Sequence, residues 1–239
     1  MTNPCRHHFQ RVTAAIAAAA VAGPAMTMEG STVYELHLAK LQQDYLRLKQ
    51  VQSIEGKAEL KRQLLPEYIP YVQGVLAEGK GAQDQVLTTL MVWRMDAGDF
   101  AGALDIAEYV INHSLLMADR FERTTGTIVA EEIAEVALKA QKAGGTFDLD
   151  LLLRTEQIAG KEDMPDQAKA KLHLALGKAC AEKVSDDDTS ENKVIAIGYL
   201  ESAKDYLARA IELHTNCGGK KDLERVERLL KKYAAPAAN

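Results

Sequence analysis

The residues whose types and spacing could do chemistry gather in one stretch, Leu64 to His113. Gly74-Val-Leu-Ala-Glu-Gly79-Lys80-Gly81 fits the G-x-x-x-x-G-K part of a loop whose backbone amides cradle phosphates while its lysine reaches them. Such a loop needs Ser or Thr after the lysine to ligate magnesium, and Gly81 stands there instead. No β-branched strand leads into Gly74, and the residues after it read as helix. Nucleotide binding is rejected on these grounds. A helix end with a basic residue near its C-terminus explains the pattern.

A metal-dependent nuclease would need carboxylates converging on magnesium. Asp84, Asp96, Asp99 and Asp105 lie close in sequence, but Asp96 and Asp99 flank Gly98, where turns and helix caps use aspartate. Pro165-Asp166 resembles the start of a restriction-type nuclease core, yet no strand carrying the required (D/E)-x-K follows, and a helix start accounts for Asp166. His7 and His8 are near the terminus; His37, His113, His173 and His214 are isolated. Cys5, Cys180 and Cys217 show no metal spacing and read as reduced thiols of a cytosolic chain. The residues thus supply no catalytic set and call for no metal or other cofactor.

Basic residues offer a second kind of chemistry. Arg6, His7, His8 and Arg11 open the chain, and two roles fit them: contact with nucleic-acid phosphate, or solubility alone. Further on, Tyr34, Leu38, Leu41, Tyr45 and Leu48 form a seam two heptads long, which serves either subunit pairing or the chain's own core. Lys40, Arg47, Lys49, Lys57, Lys61 and Arg62 lie off that seam, where they would be exposed and could form a basic face.

The elements that must position these residues are helices. Alanine, leucine, glutamate and lysine dominate, and aromatics make up only 5%. The expected fold is all-α, with about eight to ten helices in hairpins of partial tetratricopeptide-like character. A short helix is expected over the alanine-rich run that follows Arg11, although the run imitates a secretory signal. Thr32 with Glu35 fits a capping box. Pro66 and Pro70 should interrupt helix through 64–71 and push the residues before them towards extended geometry. Gly79 and Gly81 should break the chain; a helix from near Gln83 to Ala97 and another from Asp99 to about His113 should follow. Residues 86–113 and 171–214 each resemble one tetratricopeptide pair, the second with an acidic insertion over Ser185–Asn192. Three segments are expected: 1–63, N-terminal helices forming a candidate DNA-binding and oligomerisation segment; 64–160, a central helical domain; and 161–239, a C-terminal hairpin.

Net charge is −5, so the whole chain is not an electrostatic nucleic-acid binder. Residues 1–80 carry nine Lys/Arg against seven Asp/Glu, 81–170 eight against sixteen, and 171–239 twelve against eleven. Any nucleic-acid contact belongs nearer the ends than the middle. No run of strongly apolar residues is long enough to span a membrane.

Taken together, the ordered pieces Arg6-His7, Arg11-Val12, Thr32-Val33-Tyr34-Glu35, Leu64-Leu65-Pro66, Gly74-Val75-Leu76, Gly79-Lys80-Gly81-Ala82-Gln83-Asp84, Trp93-Arg94-x-Asp96-x-Gly98-Asp99, Met164-Pro165-Asp166 and Lys171-Leu172-His173 resemble the small-subunit family of tailed-phage terminases. That family often bears the label terminase, endonuclease subunit. The resemblance implies a protein of the bacterial host cytoplasm that binds double-stranded viral DNA at the packaging site, forms a ring-like homo-oligomer, and delivers DNA to a large ATPase subunit. With that expectation, the basic and titratable residues Arg6, His7, His8, Arg11, Lys40, Arg47 and Lys49 are the first to consider for DNA contact. An endonuclease cutting the packaging ends and a helical adaptor with no DNA role are the alternatives.

Overall fold

The computed structural model describes residues 3–21, 32–117, 123–184 and 190–234. Among them are eleven α-helices and one 3-10 turn, and the chain divides into two compact units at Thr125/Gly126. The segment limits expected at 63/64 and 160/161 fall inside the first and second of these units.

The first unit holds α1 (Pro4–Ala20), α2 (Thr32–Gln50), α3 (Ile54–Leu64), the 3-10 turn Leu65–Tyr68, α4 (Ile69–Glu78), α5 (Gln85–Ala97) and α6 (Phe100–Asn112). Its core is aromatic and aliphatic: Leu41, Leu64, Tyr68, Tyr71, Leu87, Leu90, Met91, Leu104 and Ile106 are removed from solvent. Trp93 sits against the edges of Tyr45 and Tyr68 at ring separations of 5.3 and 6.4 Å.

Two expectations change here. The α-helix is interrupted over Leu65–Tyr68, as expected of Pro66 and Pro70, but by a 3-10 turn and not by extended backbone. The residues before the two prolines, Leu65 (φ −52°, ψ −39°) and Ile69 (φ −50°, ψ −47°), are helical rather than extended. Each proline occupies the first turn of a new helical segment, where its missing amide hydrogen is unneeded. Burial of Leu64, Leu65, Tyr68 and Pro70 outweighs the local preference for extended backbone. The heptad seam is also rotated. Tyr34, His37, Leu41, Asp44 and Leu48 are buried in the unit's own core, while Leu38 and Tyr45 are half-buried. Thr32 stands within α2, and the residues before it, which the capping-box expectation also involves, lie outside the described residues.

Other local expectations agree with the structure. Gly79 ends α4 and Gly81 turns the chain with φ +80°. Gly98 closes α5 in the left-handed conformation, and Asp99 caps α6 by accepting from the Gly102 amide at 3.0 Å.

The second unit holds α7 (Thr125–Lys142), α8 (Leu149–Ala159), α9 (Asp166–Glu182), α10 (Ser190–Leu213) and α11 (Lys220–Ala234). Helix α9 is its buried centre, and α10 crosses it closely at Gly177. A Cβ there would lie 2.6 Å from Leu207 Cγ. Small residues thus let this pair approach, as the repeat-like pattern expected. The pairs α5/α6 and α9/α10 lie one in each unit, short of the three repeats that a stable array needs. The acidic insertion lies largely outside the described residues.

Candidate nucleic-acid interface

Helix α1 starts with a complete cap: Asn3 Oδ1 accepts from the Cys5 amide at 3.0 Å, and Pro4 occupies the first turn. The alanine run then gives a helix with almost no side-chain bulk on the face that meets α4. Ala14 and Ala18 are buried, and Gly74 of α4 lies directly against Ala14 and the backbone of Arg11 and Ala15. A Cβ on Gly74 would come within 2.7 Å of both Ala14 Cβ and the Ala15 amide nitrogen. The first glycine of the phosphate-loop look-alike is therefore a helix-crossing contact inside α4, and Lys80 is exposed beyond the helix end.

This crossing fixes where the basic residues of α1 stand. Arg6, His8 and Arg11 are exposed and His7 is half-buried. Two concavities run beside them. One, of about 430 Å³, is lined by Pro4, His7, His8, Arg11 and Gln73. The other, of about 370 Å³, is lined by Arg6, His7 and Gln10 of α1, His37 and Lys40 of α2, and Glu67 with its flanking prolines. His7 borders both. No described carboxylate is in salt-bridge range of Arg6 or Arg11. The outermost ridge of α1 is apolar: Phe9 is 67% exposed and Ile16 65%.

The basic residues of α2 are not equivalent to those of α1. Lys40 Nζ lies 2.8 Å from Asp44 and 3.2 Å from Glu67, and sits 4.7 Å over the Tyr68 ring. Arg47 also donates to Asp44, at 3.1 Å, and Tyr68 OH donates to it at 2.7 Å. Burial pushes the Asp44 carboxyl up, but hydrogen bonds from Lys40, Tyr68 and Arg47 outweigh burial and hold it below the usual carboxylate range. Lys49 is exposed on the last turn of α2. Of Lys61 and Arg62, both expected to be exposed, Lys61 departs from the expectation and Arg62 meets it. Lys61 pairs with Asp96 and is mostly covered; Arg62, still exposed, donates to the Ala97 carbonyl and pairs with Glu59.

Beneath the second concavity lies a buried polar chain that sequence reading did not find. His37 Nδ1 donates to the Val33 carbonyl at 2.8 Å, and its ring stacks on Tyr71 at 4.4 Å. Burial lowers its pKa, and nearby Lys40 adds to that, so the imidazole is neutral at neutral pH. Tyr71 OH donates to Asp84 at 2.6 Å, and Asp84 caps α5 by accepting from the Leu87 amide at 2.9 Å. Burial pushes Asp84 up to about 6. The only sequence signal for these roles was Asp84 standing two residues before an apolar helical run, a cap pattern.

The acids that stood close in sequence have structural partners. Asp84 caps α5, Asp96 pairs with Lys61, and Asp99 caps α6 and pairs with Arg94. Among the described residues no group of three His, Cys, Asp or Glu side chains could hold a metal ion, and no helix is long and apolar enough to cross a membrane.

Comparison with known proteins now adds to this geometry. The phage small terminase subunit family matches residues 38–167, a span that begins within α2. The chain is 41% identical to the terminase, endonuclease subunit of Escherichia phage P2 over 236 residues, covering 99% of this chain and 89% of that protein. It is 26% identical to the probable terminase, endonuclease subunit of Haemophilus phage HP1 over 211 residues, covering 84% of this chain and 71% of that one. No solved structure matches it. An all-α chain whose match spans more than half its length, and whose likeness to the P2 protein runs nearly end to end, belongs to the phage small terminase subunit family.

Proposed function

We propose that this chain is the DNA-recognising subunit of a phage packaging motor. It binds viral duplex DNA in the host cytoplasm, works as a homo-oligomer, and passes the DNA to a large ATPase and nuclease subunit. The observation that carries the reading is the charge left open on α1. Arg6, His8 and Arg11 are exposed on the flanks of the face that α1 packs against α4, beside the two concavities. Lys49 and the outer part of Arg47 extend the basic surface on α2, while Lys40 has already committed its charge to Asp44 and Glu67. Salt-dependent binding of the full chain to viral duplex, with native mass measured in the same experiment, tests recognition and assembly together. Loss of binding with salt supports the reading, and binding indifferent to salt opposes it.

The names of the P2 and HP1 proteins favour a second reading, a site-specific endonuclease. Its test is magnesium-dependent cleavage of packaging-site DNA by the isolated chain. The adaptor reading requires no DNA binding at all.

A further inference from the structure

We infer that α11 carries a second, sequence-independent contact for duplex phosphate, separate from α1. The inference rests on the DNA-binding reading above. Lys221, Arg225, Arg228 and Lys232 are all exposed, and their spacings of four, three and four residues place them on one face of α11. The orientation of that face is set by packing. Val226, fully buried, holds the opposite side of the helix, and Leu230 lines a groove with Ile197 of α10.

Two stripe cations have weak electrostatic neighbours within the unit: Lys232 Nζ lies 5.9 Å from the centre of the Tyr233 ring, and Arg225 favours the charged form of Glu182 on α9. Asp222, on the packed side, is taken by Lys178 of α9 at 2.9 Å. Glu224 and Glu227 project to one side of the stripe, and none of its four cations has a described salt-bridge partner. Arg228 makes only a 3.3 Å contact with the Glu224 backbone carbonyl. Like charges three and four residues apart destabilise a helix, and an anion along the stripe relieves that repulsion.

The shape of the stripe selects the ligand. The twelve residues from Lys221 to Lys232 span eleven helical rises, about 17 Å, too long for one free phosphate. Each strand of a duplex presents a phosphate about every 3.4 Å of axis, so the stripe can follow several in succession. Two central arginines supply planar forks that hold phosphate oxygens in pairs. The aromatic beside the stripe, Tyr233, is half-buried next to the Lys232 ammonium and offers no open platform for unpaired bases, which favours duplex backbone over single strands.

The test uses the full-length chain and a short random-sequence duplex, with binding followed by fluorescence anisotropy over a range of salt. Replacing all four residues, Lys221→Gln, Arg225→Gln, Arg228→Gln and Lys232→Gln, is expected to lower the slope of log affinity against log salt by about 3 to 4. The double variant Arg225→Gln, Arg228→Gln is expected to lower it by about 2, and it serves if the quadruple variant loses helicity by circular dichroism. A slope equal to wild type in the folded variant overturns the inference. If Arg6→Ala with Arg11→Ala still weakens binding in that case, the DNA-binding reading stands without it. If wild type binds no duplex under any salt, both fall.

Discussion

Tyr71 donates its hydroxyl to the Asp84 carboxylate at 2.6 Å, with both side chains fully buried. This bond ties α4 to the first turn of α5 across the Gly79–Gly81 break, and Asp84 caps α5 from the same position. A cap near the surface would be an ordinary device; here it is a carboxylate kept from water.

That burial fixes the sign of a pH effect. Asp84 is raised from 3.8 to about 6, so between those values the folded protein holds more protons than the unfolded chain. Its contribution therefore falls as pH rises through this window, and the cost is complete above it. Asp84→Asn retains a capping oxygen and removes the titration. The stability of wild type relative to this variant should fall by up to about 3 kcal/mol from pH 4 to 7. Urea unfolding followed by the fluorescence of Trp93 reports it; a difference constant with pH would disprove the assignment.

Gly74→Ala should destabilise the first unit even though alanine favours helix. The added methyl meets Ala14 Cβ and the backbone of α1. Overpacking of about 1–3 kcal/mol exceeds the helical gain of about 1 kcal/mol. Amide exchange should quicken in α1 before it does in α5. Exchange unchanged in α1 would mean that the crossing is slack.

Arg6→Ala with Arg11→Ala should weaken duplex binding and lower the salt slope by about 2, without altering the unfolding midpoint. Lys40→Ala should act in the opposite sense. It removes one of three donors to buried Asp44 and should cost about 1–3 kcal/mol of stability, with little change in salt slope. If Lys40→Ala proves the stronger DNA-binding defect, the ranking of these residues is wrong.

In the second unit His173 is pushed down to about 4 by burial, with Lys169 and Arg209 adding to it, and its Nδ1 has no partner. The unfolded chain then binds more protons between about pH 6.5 and 4, and the His173 contribution is lost as pH falls through that range. Glu156, 3.8 Å away, is raised by burial and titrates with the opposite sign, so the comparison is with His173→Leu rather than with wild type alone. The variant should lose less protection in α9 on acidification, measured by hydrogen exchange and mass spectrometry. Equal losses would refute the role of His173.

Helices, stops and caps were legible because local rules govern them. Gly98 with Asp99 and Pro165-Asp166 at the start of α9 stand where the pattern put them. What sequence could not supply depended on partners distant in the chain. Leu65 and Ile69, before the two prolines, read as extended because nothing local announces that Leu65 and Tyr68 would be buried. Lys40 read as free because Glu67 and the Tyr68 ring approach it only in the fold. Gly74 matched part of a phosphate-loop pattern that Gly81 excluded, but its contact with α1 depends on a partner far away in the chain and could not be read locally. The basic residues of α1 were found by type alone, and the structure added the concavities that flank them.

The α1–α4 crossing also separates two kinds of evolutionary freedom. Ala14, Ala18 and Gly74 have almost nothing to shed and no room to grow, so that side of α1 is nearly frozen against mutation. Arg6, His8, Phe9, Val12 and Ile16 lie on its outer side, largely free of the packing. A phage lineage, or a combinatorial library, can therefore rewrite the outer side residue by residue while the scaffold that aims it is inherited unchanged.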